Sequence, residues 1–450
     1  MIDNVREIAL KTLYKIEKEK AYSNLVLDEM LKINRKNIND RDIGLISEIV
    51  YGTTTWKLTI DEIIKKYSNI RLKKISDWIL NILRMGVYQI VFLDKIPKSA
   101  AVNECVNLAK KYGHKSSSNF VNAILRKVEK SDFEEFFGIK DDVERISKST
   151  SMPEWIVKKL LQELDVKEVE NICKCSNIKP QVAIRINDLK INREFIEKKL
   201  SEKNIQFDHG IIKDFLVLNK IKNIENMDLF KEGYFTIQDE GAGLIALILE
   251  PKENETILDA CSSPGGKTTY IAQLMKNKGK ICALDIHEHR TKLVEETAKR
   301  LGIDIIETKV QDATIYKEEY KEKFDKILLD VPCLGIGVLK RKPDIKWQRE
   351  EGDIEEITKI QQQIIENCSK YLKKGGVIVY STCSILKEEN ECIIEEFLNN
   401  NKEFRLEKIQ IKNEKTNNDF FEQYVQKQGY MKIFQNEKSD GFFIAKLIKE

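Results

Sequence analysis

Thr256-Ile257-Leu258-Asp259 runs straight into Ala260-Cys261-Ser262-Ser263-Pro264-Gly265-Gly266-Lys267-Thr268, and the fold of the larger part of the chain turns on this stretch. Its first residues form a short apolar run that stops at turn formers, which reads as a buried strand. The two glycines let backbone approach a ligand closely, and the amides that open the following helix favour polar or anionic groups. Next, Lys280-Ile281-Cys282-Ala283-Leu284 reads as a second strand and ends in Asp285. A carboxylate there accepts hydrogen bonds from a ribose diol, as the acidic residue of nucleotide-binding βαβ units does.

Working outward, Lys326-Ile327-Leu328-Leu329 and Val377-Ile378-Val379-Tyr380 are predicted to be two buried strands of a parallel sheet. Each is followed by a cysteine, in Asp330-Val331-Pro332-Cys333 and in Ser381-Thr382-Cys383-Ser384. Open α/β sheets carry their sites at the carboxyl ends of strands. Neighbouring strands lie about 4.8 Å apart, so if these two are neighbours both thiols reach one substrate. Taken singly, either cysteine reads equally well as a small core residue. Gly266-Lys267-Thr268 with Ile327-Leu328-Leu329-Asp330 imitates a P-loop nucleotidase. That motif needs a glycine where Cys261 stands, and Pro264 stiffens a loop that would have to wrap phosphates.

Asp259 to Thr268, Asp330 to Cys333 and Thr382-Cys383-Ser384 resemble the methyl-donor loop, the Pro-Cys motif and the Thr-Cys motif of S-adenosylmethionine-dependent RNA cytosine-5 methyltransferases. Ser262 and Ser263 stand where the common loop of that family has two alanines. Lys340-Arg341-Lys342-Pro343-Asp344-Ile345-Lys346-Trp347 also resembles the family, and the match spans roughly 230–450. The resemblance implies an α/β Rossmann-like catalytic domain with Cys383 as nucleophile, Asp330 holding the base edge and Cys333 assisting release. It further implies that S-adenosyl-L-methionine is held by Cys261, Ser262, Ser263, Pro264, Gly265, Gly266, Lys267, Asp285, Asp312 and Asp330, with Asp312 at the adenine ring. Arg290 matches a family position as well. Read locally, Asp312 is also a turn aspartate and Arg290 a surface helix arginine.

The chemistry accounts for two cysteines. Carbon 5 of cytosine is a poor nucleophile until a thiolate adds at carbon 6. An unperturbed cysteine has a pKa of about 8.5, so the site should lower it, and Lys267, Lys340 and Arg341 are candidate sources of positive potential.

At 450 residues the chain exceeds the usual single-core limit and should form two or three domains. No apolar run approaches membrane-spanning length, and Met1-Ile2-Asp3-Asn4 has no signal-peptide character. Nine cysteines without framework spacing fit a reducing compartment, hence a cytoplasmic location. Cys173-Lys174-Cys175 lacks the spacing of a metal pair, and no metal is expected.

From Asp3 to about Lys130 the pattern is helical: Val5, Ile8, Ala9, Leu13 and Ile16 follow the helix repeat, as do Ile79, Ile82, Leu83 and Ile90. Asn39-Asp40 and Ser76 look like caps, and Pro97 suits a first turn. Asp40-Arg41-Asp42 to Tyr51-Gly52, then Arg84 to Gln89, Ala101 to Val106 and Phe120 to Arg126, resemble the NusB family of RNA-binding helical domains over about 1–135. Between Leu108 and Lys130 the six basic residues Lys110, Lys111, Lys115, Arg126, Lys127 and Lys130 face one acid, Glu129, in a chain whose net charge is only +3. Such a local excess suggests contact with phosphate, though a solvated helix face has the same composition.

Between about 150 and 232 the order is helix (Pro153 to Leu164), strand (Gln181 to Ile186), helix (Asn192 to Glu202), strand (Phe215 to Leu218), a small α+β unit. In the family an RRM-like segment occupies this place. Phe235-Thr236-Ile237-Gln238-Asp239 reads as the strand that leads into the catalytic domain, whose boundary is set at 233, so that 233–450 forms the third domain.

A NusB-like bundle fused to a Sun-type methyltransferase is the arrangement of the RsmB/Sun family. That resemblance implies a monomeric enzyme of small-subunit ribosomal RNA, of the kind named for cytosine 967 of 16S RNA. Fold does not fix substrate. A transfer-RNA cytosine-5 methyltransferase and a noncatalytic RNA-binding or antitermination factor are the alternatives. A DNA cytosine methyltransferase would use the Pro-Cys cysteine as nucleophile and would not need Thr382-Cys383.

Overall fold

The computed structural model describes residues 4–219, 221, 224–411, 415–416 and 418–450; Asp3, where the helical reading begins, lies outside them. The chain divides into two compact units. One comprises Met1–Lys179 with Leu339–Glu351, the other Pro180–Val338 with Gly352–Glu450.

The first unit is helical. At its centre helix Asp77–Phe92 is buried without a break from Ile79 to Val91, the pattern of a helix enclosed by others rather than lying on a surface. Helices Asn4–Glu19, Asp40–Thr55, Lys57–Tyr67, Lys98–Tyr112 and Lys115–Leu125 surround it. Ile8, Ala9, Leu13 and Ile16 all lie in its core, as the helix repeat predicts. Asn39 caps its helix by accepting from the amides of Arg41 and Asp42, at 2.8 and 3.1 Å. Ser76 occupies a cap position with extended backbone but makes no side-chain cap bond. Arg84, buried in the central helix, is matched by two carboxylates: Nε and Nη2 donate to Asp61 at 2.7 and 2.8 Å, and Nη1 donates to Glu17 at 2.8 Å. Burying that guanidinium without both partners would leave an uncompensated charge.

Leu339–Glu351 completes this unit as a strap. Ser23 Oγ donates to Asp344 at 3.0 Å, Trp347 Nε1 donates to the Thr54 carbonyl at 2.7 Å, and Lys346 Nζ donates to Asn177 Oδ1 at 2.6 Å. Burial drives the Lys346 pKa down to about 7. Lys340 and Arg341 open the strap and are half-buried.

The second unit contains two sheets. β1 (Val182–Ile186), β2 (Phe207–His209), β3 (Phe215–Leu218) and β4 (Phe235–Ile237) form an antiparallel sheet in the order β2-β3-β1-β4. The helix Arg193–Glu202, capped by Asn192, packs Ile196 and Leu200 into its core. The strand Phe235–Ile237 therefore pairs with β1, although its sequence reads as the lead into the catalytic domain.

The larger sheet contains β5 (Thr256–Asp259), β6 (Lys280–Asp285), β7 (Ile306–Val310), β8 (Phe324–Asp330), β9 (Leu372–Thr382), β10 (Phe404–Glu407), β11 (Met431–Ile433) and β12 (Phe442–Lys449). Its order is β10-β12-β9-β8-β5-β6-β7, with β11 on β12; the run from β9 to β7 is parallel and β12 enters antiparallel. Ile257, Leu328 and Val379 pack on one face, and Leu258, Ile327, Leu329, Ile378 and Tyr380 on the other. With both faces covered, the strands read as continuous apolar runs. From β7 at one edge the chain crosses back to place β8 beside β5, which opens a crevice at the carboxyl ends of these strands. The architecture is the expected one in class: an all-α bundle, a small α+β unit with its own antiparallel sheet, and an α/β part built on a largely parallel, Rossmann-like sheet. Among the described residues no helix is long and apolar enough to cross a membrane.

Candidate active site

β8 and β9 are neighbours in register, with Leu329 opposite Tyr380 and Asp330 opposite Ser381. The loops that follow carry Cys333 and Cys383, whose Sγ atoms approach to 3.0 Å. The Gly337 amide donates to the Cys383 carbonyl at 2.8 Å. A Cβ at Gly337 would come within 2.2 Å of the Gly441 carbonyl oxygen, so the loops can close only over a glycine. The hydrogen bond to Cys383, together with burial, raises the Cys333 pKa well above its ordinary value. Either sulfur can be the donor in this contact, so the two thiols share one proton path.

Asp330, at the end of β8, accepts from Lys267 Nζ at 2.6 Å and from Ser381 Oγ at 2.9 Å. Burial opposes the charge on Lys267, but the Asp330 carboxylate and Cys383 overcome this and raise its pKa. Of the three candidate sources of positive potential, Lys267 is thus coupled by its charge to Cys383. Lys340 and Arg341 belong to the strap of the helical unit.

The loop after β5 is tied to β6 through Ser262, whose amide and Oγ both donate to the Leu284 carbonyl, at 2.8 and 2.9 Å. Gly265 adopts φ +97° and Gly266 opens helix Gly266–Leu274. The left-handed turn is the conformation glycine adopts without strain. A cleft of about 190 Å³ lies here, lined by Cys261, Ser262, Ser263, Pro264, Gly266, Lys267 and Asp330, together with Ile237, Gln238, Ala242 and Asp259. Gly265, Asp285 and Asp312 are not in its lining. Asp285 ends β6, where its Oδ1 accepts from the His287 amide at 3.1 Å and its Oδ2 lies 3.7 Å from Arg290. Asp312 accepts from the amide and hydroxyl of Thr314, at 2.8 and 2.7 Å, so its local role is that of a turn.

Asp259, Gln238 and Arg185 reach this cleft or brace it without having been assigned a role from sequence. Asp259 is buried, accepts from Thr268 Oγ1 at 2.7 Å and leaves Oδ1 without a partner. Burial pushes its pKa up to about 7. Arg185, fully buried on β1, donates to Gln238 Oε1, to the Gly266 carbonyl at 2.7 Å and to Thr269 Oγ1 at 3.0 Å. The small sheet thereby braces the start of the loop helix. The donor set suits a ligand with cationic and diol groups. Asp259 and Asp285 offer acceptor oxygens, while the single ammonium, Lys267, is already committed to Asp330.

The six basic residues at 110–130 are all exposed. Lys111 pairs with Glu7 at 2.7 Å and Lys130 pairs with Asp94, whereas Lys110, Lys115, Arg126 and Lys127 make no ion pair among the described residues.

Three family models match the chain: NusB family over 3–130, the RsmF/B-like ferredoxin-like domain over 152–225, and 16S rRNA methyltransferase RsmB/F over 246–448. The chain is similar in fold to the crystal structure of PH0851, with TM-score 0.82 and 26% identity over the whole of both chains. It is also similar to NSun6 from Pyrococcus horikoshii with SFG, with TM-score 0.57 and 25% identity, over 66% of this chain and 98% of that one. A protein of Bacillus subtilis (strain 168) named "Probable ribosomal RNA small subunit methyltransferase B" is 39% identical over 402 residues, 89% of each chain. With its helical, ferredoxin-like and methyltransferase parts in that order, the chain belongs to the RsmB/Sun family of ribosomal RNA small subunit methyltransferase B.

Proposed function

We propose that this protein transfers a methyl group from S-adenosylmethionine to carbon 5 of a cytosine in small-subunit ribosomal RNA. The observation that carries the reading is the pair of thiols 3.0 Å apart at the ends of adjacent strands, beside a lysine–aspartate pair. The relative from Bacillus subtilis supports ribosomal RNA as the substrate. SFG, an analogue of S-adenosylmethionine, in the archaeal structure supports the methyl donor.

S-adenosylmethionine, when bound, supplies the electrophilic methyl group. Cys383 forms a bond from sulfur to carbon 6 of the base, and the displaced electron pair makes carbon 5 nucleophilic. Asp330 holds the base edge, and Lys267 favours the anionic sulfur before attack. After transfer water takes the proton on carbon 5, the electron pair so freed re-forms the carbon 5–carbon 6 double bond, the sulfur–carbon 6 bond breaks with its electrons returning to Cys383, and Cys333 assists that release. Asp285 holds the ribose diol and Asp312 the adenine end. The remaining candidates of the loop, Cys261 to Lys267, line the methionine end. The sequence-assigned parts divide the work: 1–135 and 150–232 grip RNA, and 233–450 performs the transfer in the cytoplasm.

Incubation with labelled methyl donor and either small-subunit RNA, transfer RNA or DNA is the test. Label in 5-methylcytosine of ribosomal RNA alone is expected, and label only in transfer RNA or DNA would overturn the substrate. In a deletion strain, bisulfite sequencing should show loss of protection at one cytosine, with position 967 the expected one.

The basic cluster gives a separate prediction. Lys111 is already paired, so the informative reversal is Arg126→Glu with Lys127→Glu. RNA binding should weaken and its salt dependence flatten, because fewer counterions are released, while cofactor affinity stays unchanged. A salt slope equal to that of the native protein would return the cluster to a solvated helix face.

A further inference from the structure

Beyond the thiols themselves, both cysteine loops end on one buried group. Glu389 follows β9 in the run Lys387-Glu388-Glu389-Asn390, and its side chain is wholly buried. Its two oxygens face different loops. Oε2 accepts from the Leu334 amide at 2.8 Å, one residue past Cys333, and from Gln361 Nε2 at 3.1 Å. The same Gln361 nitrogen donates to the Pro332 carbonyl at 2.9 Å, one residue before Cys333. Oε1 accepts from Ser384 Oγ, one residue past Cys383. Asn390 continues the contact on the second loop. Its Oδ1 accepts from Thr382 Oγ1 at 2.5 Å, and its Nδ2 donates to the Ser384 carbonyl at 3.0 Å. Tyr380 OH donates to the Glu389 carbonyl at 2.7 Å and fixes the carboxylate's own backbone.

The residue after each cysteine, Leu334 and Ser384, therefore meets one carboxylate directly, and Pro332 before Cys333 is tied to it through Gln361. A single rigid acceptor shared by two loops sets the distance between them, because neither loop can shift without breaking a buried hydrogen bond. We propose that Glu389 is a positioning residue that sets the separation of the Cys333 and Cys383 thiols through its length and its two acceptor sites. The proposal rests on the function proposed above only in the roles given to the two thiols.

Length and charge separate cleanly at this position. Glu389→Gln keeps the reach: its carbonyl oxygen takes the place of Oε2, and its amide donates to Ser384 Oγ, a hydroxyl that can accept as well as donate. Glu389→Asp keeps the charge but is one methylene shorter and cannot meet both loops. Phenylarsine oxide, which condenses with two close thiols and releases water, reads the thiol separation without RNA or methyl donor. Cys333→Ala and Cys383→Ala serve as controls that lose capture. Glu389→Gln is expected to capture the arsenical and to methylate RNA within about threefold of the native protein. Glu389→Asp, and Ser384→Ala which removes only the partner on the second loop, are expected to slow both by about tenfold or more, with kcat lowered and KM for RNA unchanged. Native capture by Glu389→Asp, or loss of capture by Glu389→Gln, would overturn the proposal. Because capture needs neither RNA nor methyl donor, the positioning role stands or falls on it even if the protein proves to methylate a different substrate.

Discussion

Replacement of Cys383 by alanine is expected to abolish methyl transfer together with any covalent protein–RNA species, and replacement of Cys333 is expected to accumulate one. The loss in the first variant should reach background, about 10⁴-fold or more, since in the proposed reaction the attack on the base runs through this thiol. The second variant leaves attack and transfer possible and hinders expulsion. The electrostatics are compatible with this division: the contact with Cys383 and burial raise the Cys333 pKa, while the Lys267 charge is coupled to Cys383. A denaturing gel of each variant mixed with RNA and methyl donor separates the outcomes, because the trapped species migrates more slowly. An adduct with Cys383→Ala and none with Cys333→Ala would reverse the roles and make the enzyme resemble the DNA cytosine methyltransferases.

A smaller but still large loss is expected from Lys267→Met. The lysine ammonium lies 2.6 Å from Asp330 and its charge is coupled to Cys383, so its removal acts twice. It withdraws the positive charge that favours the thiolate, and it leaves Asp330 with Ser381 as its remaining partner among these groups. Loss of one preorganised electrostatic group at a reacting centre typically costs about 10²–10³-fold in kcat. The sign of the pH effect follows from the same contact. Without the ammonium the thiolate forms only at higher pH, so the acid limb of the pH–rate profile should move upward. An unchanged limb in single-turnover assays would show that Lys267 serves only to hold Asp330.

The strands that end in Cys333 and Cys383 were legible because a parallel sheet buried on both faces leaves short β-branched runs with no polar alternation. Their adjacency was not, since pairing between β8 and β9 is a long-range choice that no local period encodes. The same limit explains the groups missed. Glu389 sits in a run of charged residues that reads as solvated surface, yet it is fully buried because loops distant in sequence supply its donors. Arg185 looks like one polar residue in a strand, and its role appears only once β1 stands against the helix at Gly266. β2, three residues long, is too short to show any alternation. The glycine loop and its neighbouring acid, by contrast, follow from local backbone needs at Gly265 and were readable from their residue types alone.

The strap Leu339–Glu351 bears on how the protein is made. The helical unit reaches Lys179 early in synthesis, but its final segment leaves the ribosome only about 170 residues later, at Glu351. At ordinary elongation rates that interval is roughly 10–30 s, long compared with the folding of a small helical bundle. During it Asn177 Oδ1 and the Thr54 carbonyl lack the donors that Lys346 and Trp347 later bring. The helical unit thus waits, nearly assembled, for a piece of chain encoded beyond the first cysteine loop. A nascent protein cut short before residue 339 leaves that unit unfinished, so that completion of the helical core reports that translation has passed the Cys333 loop.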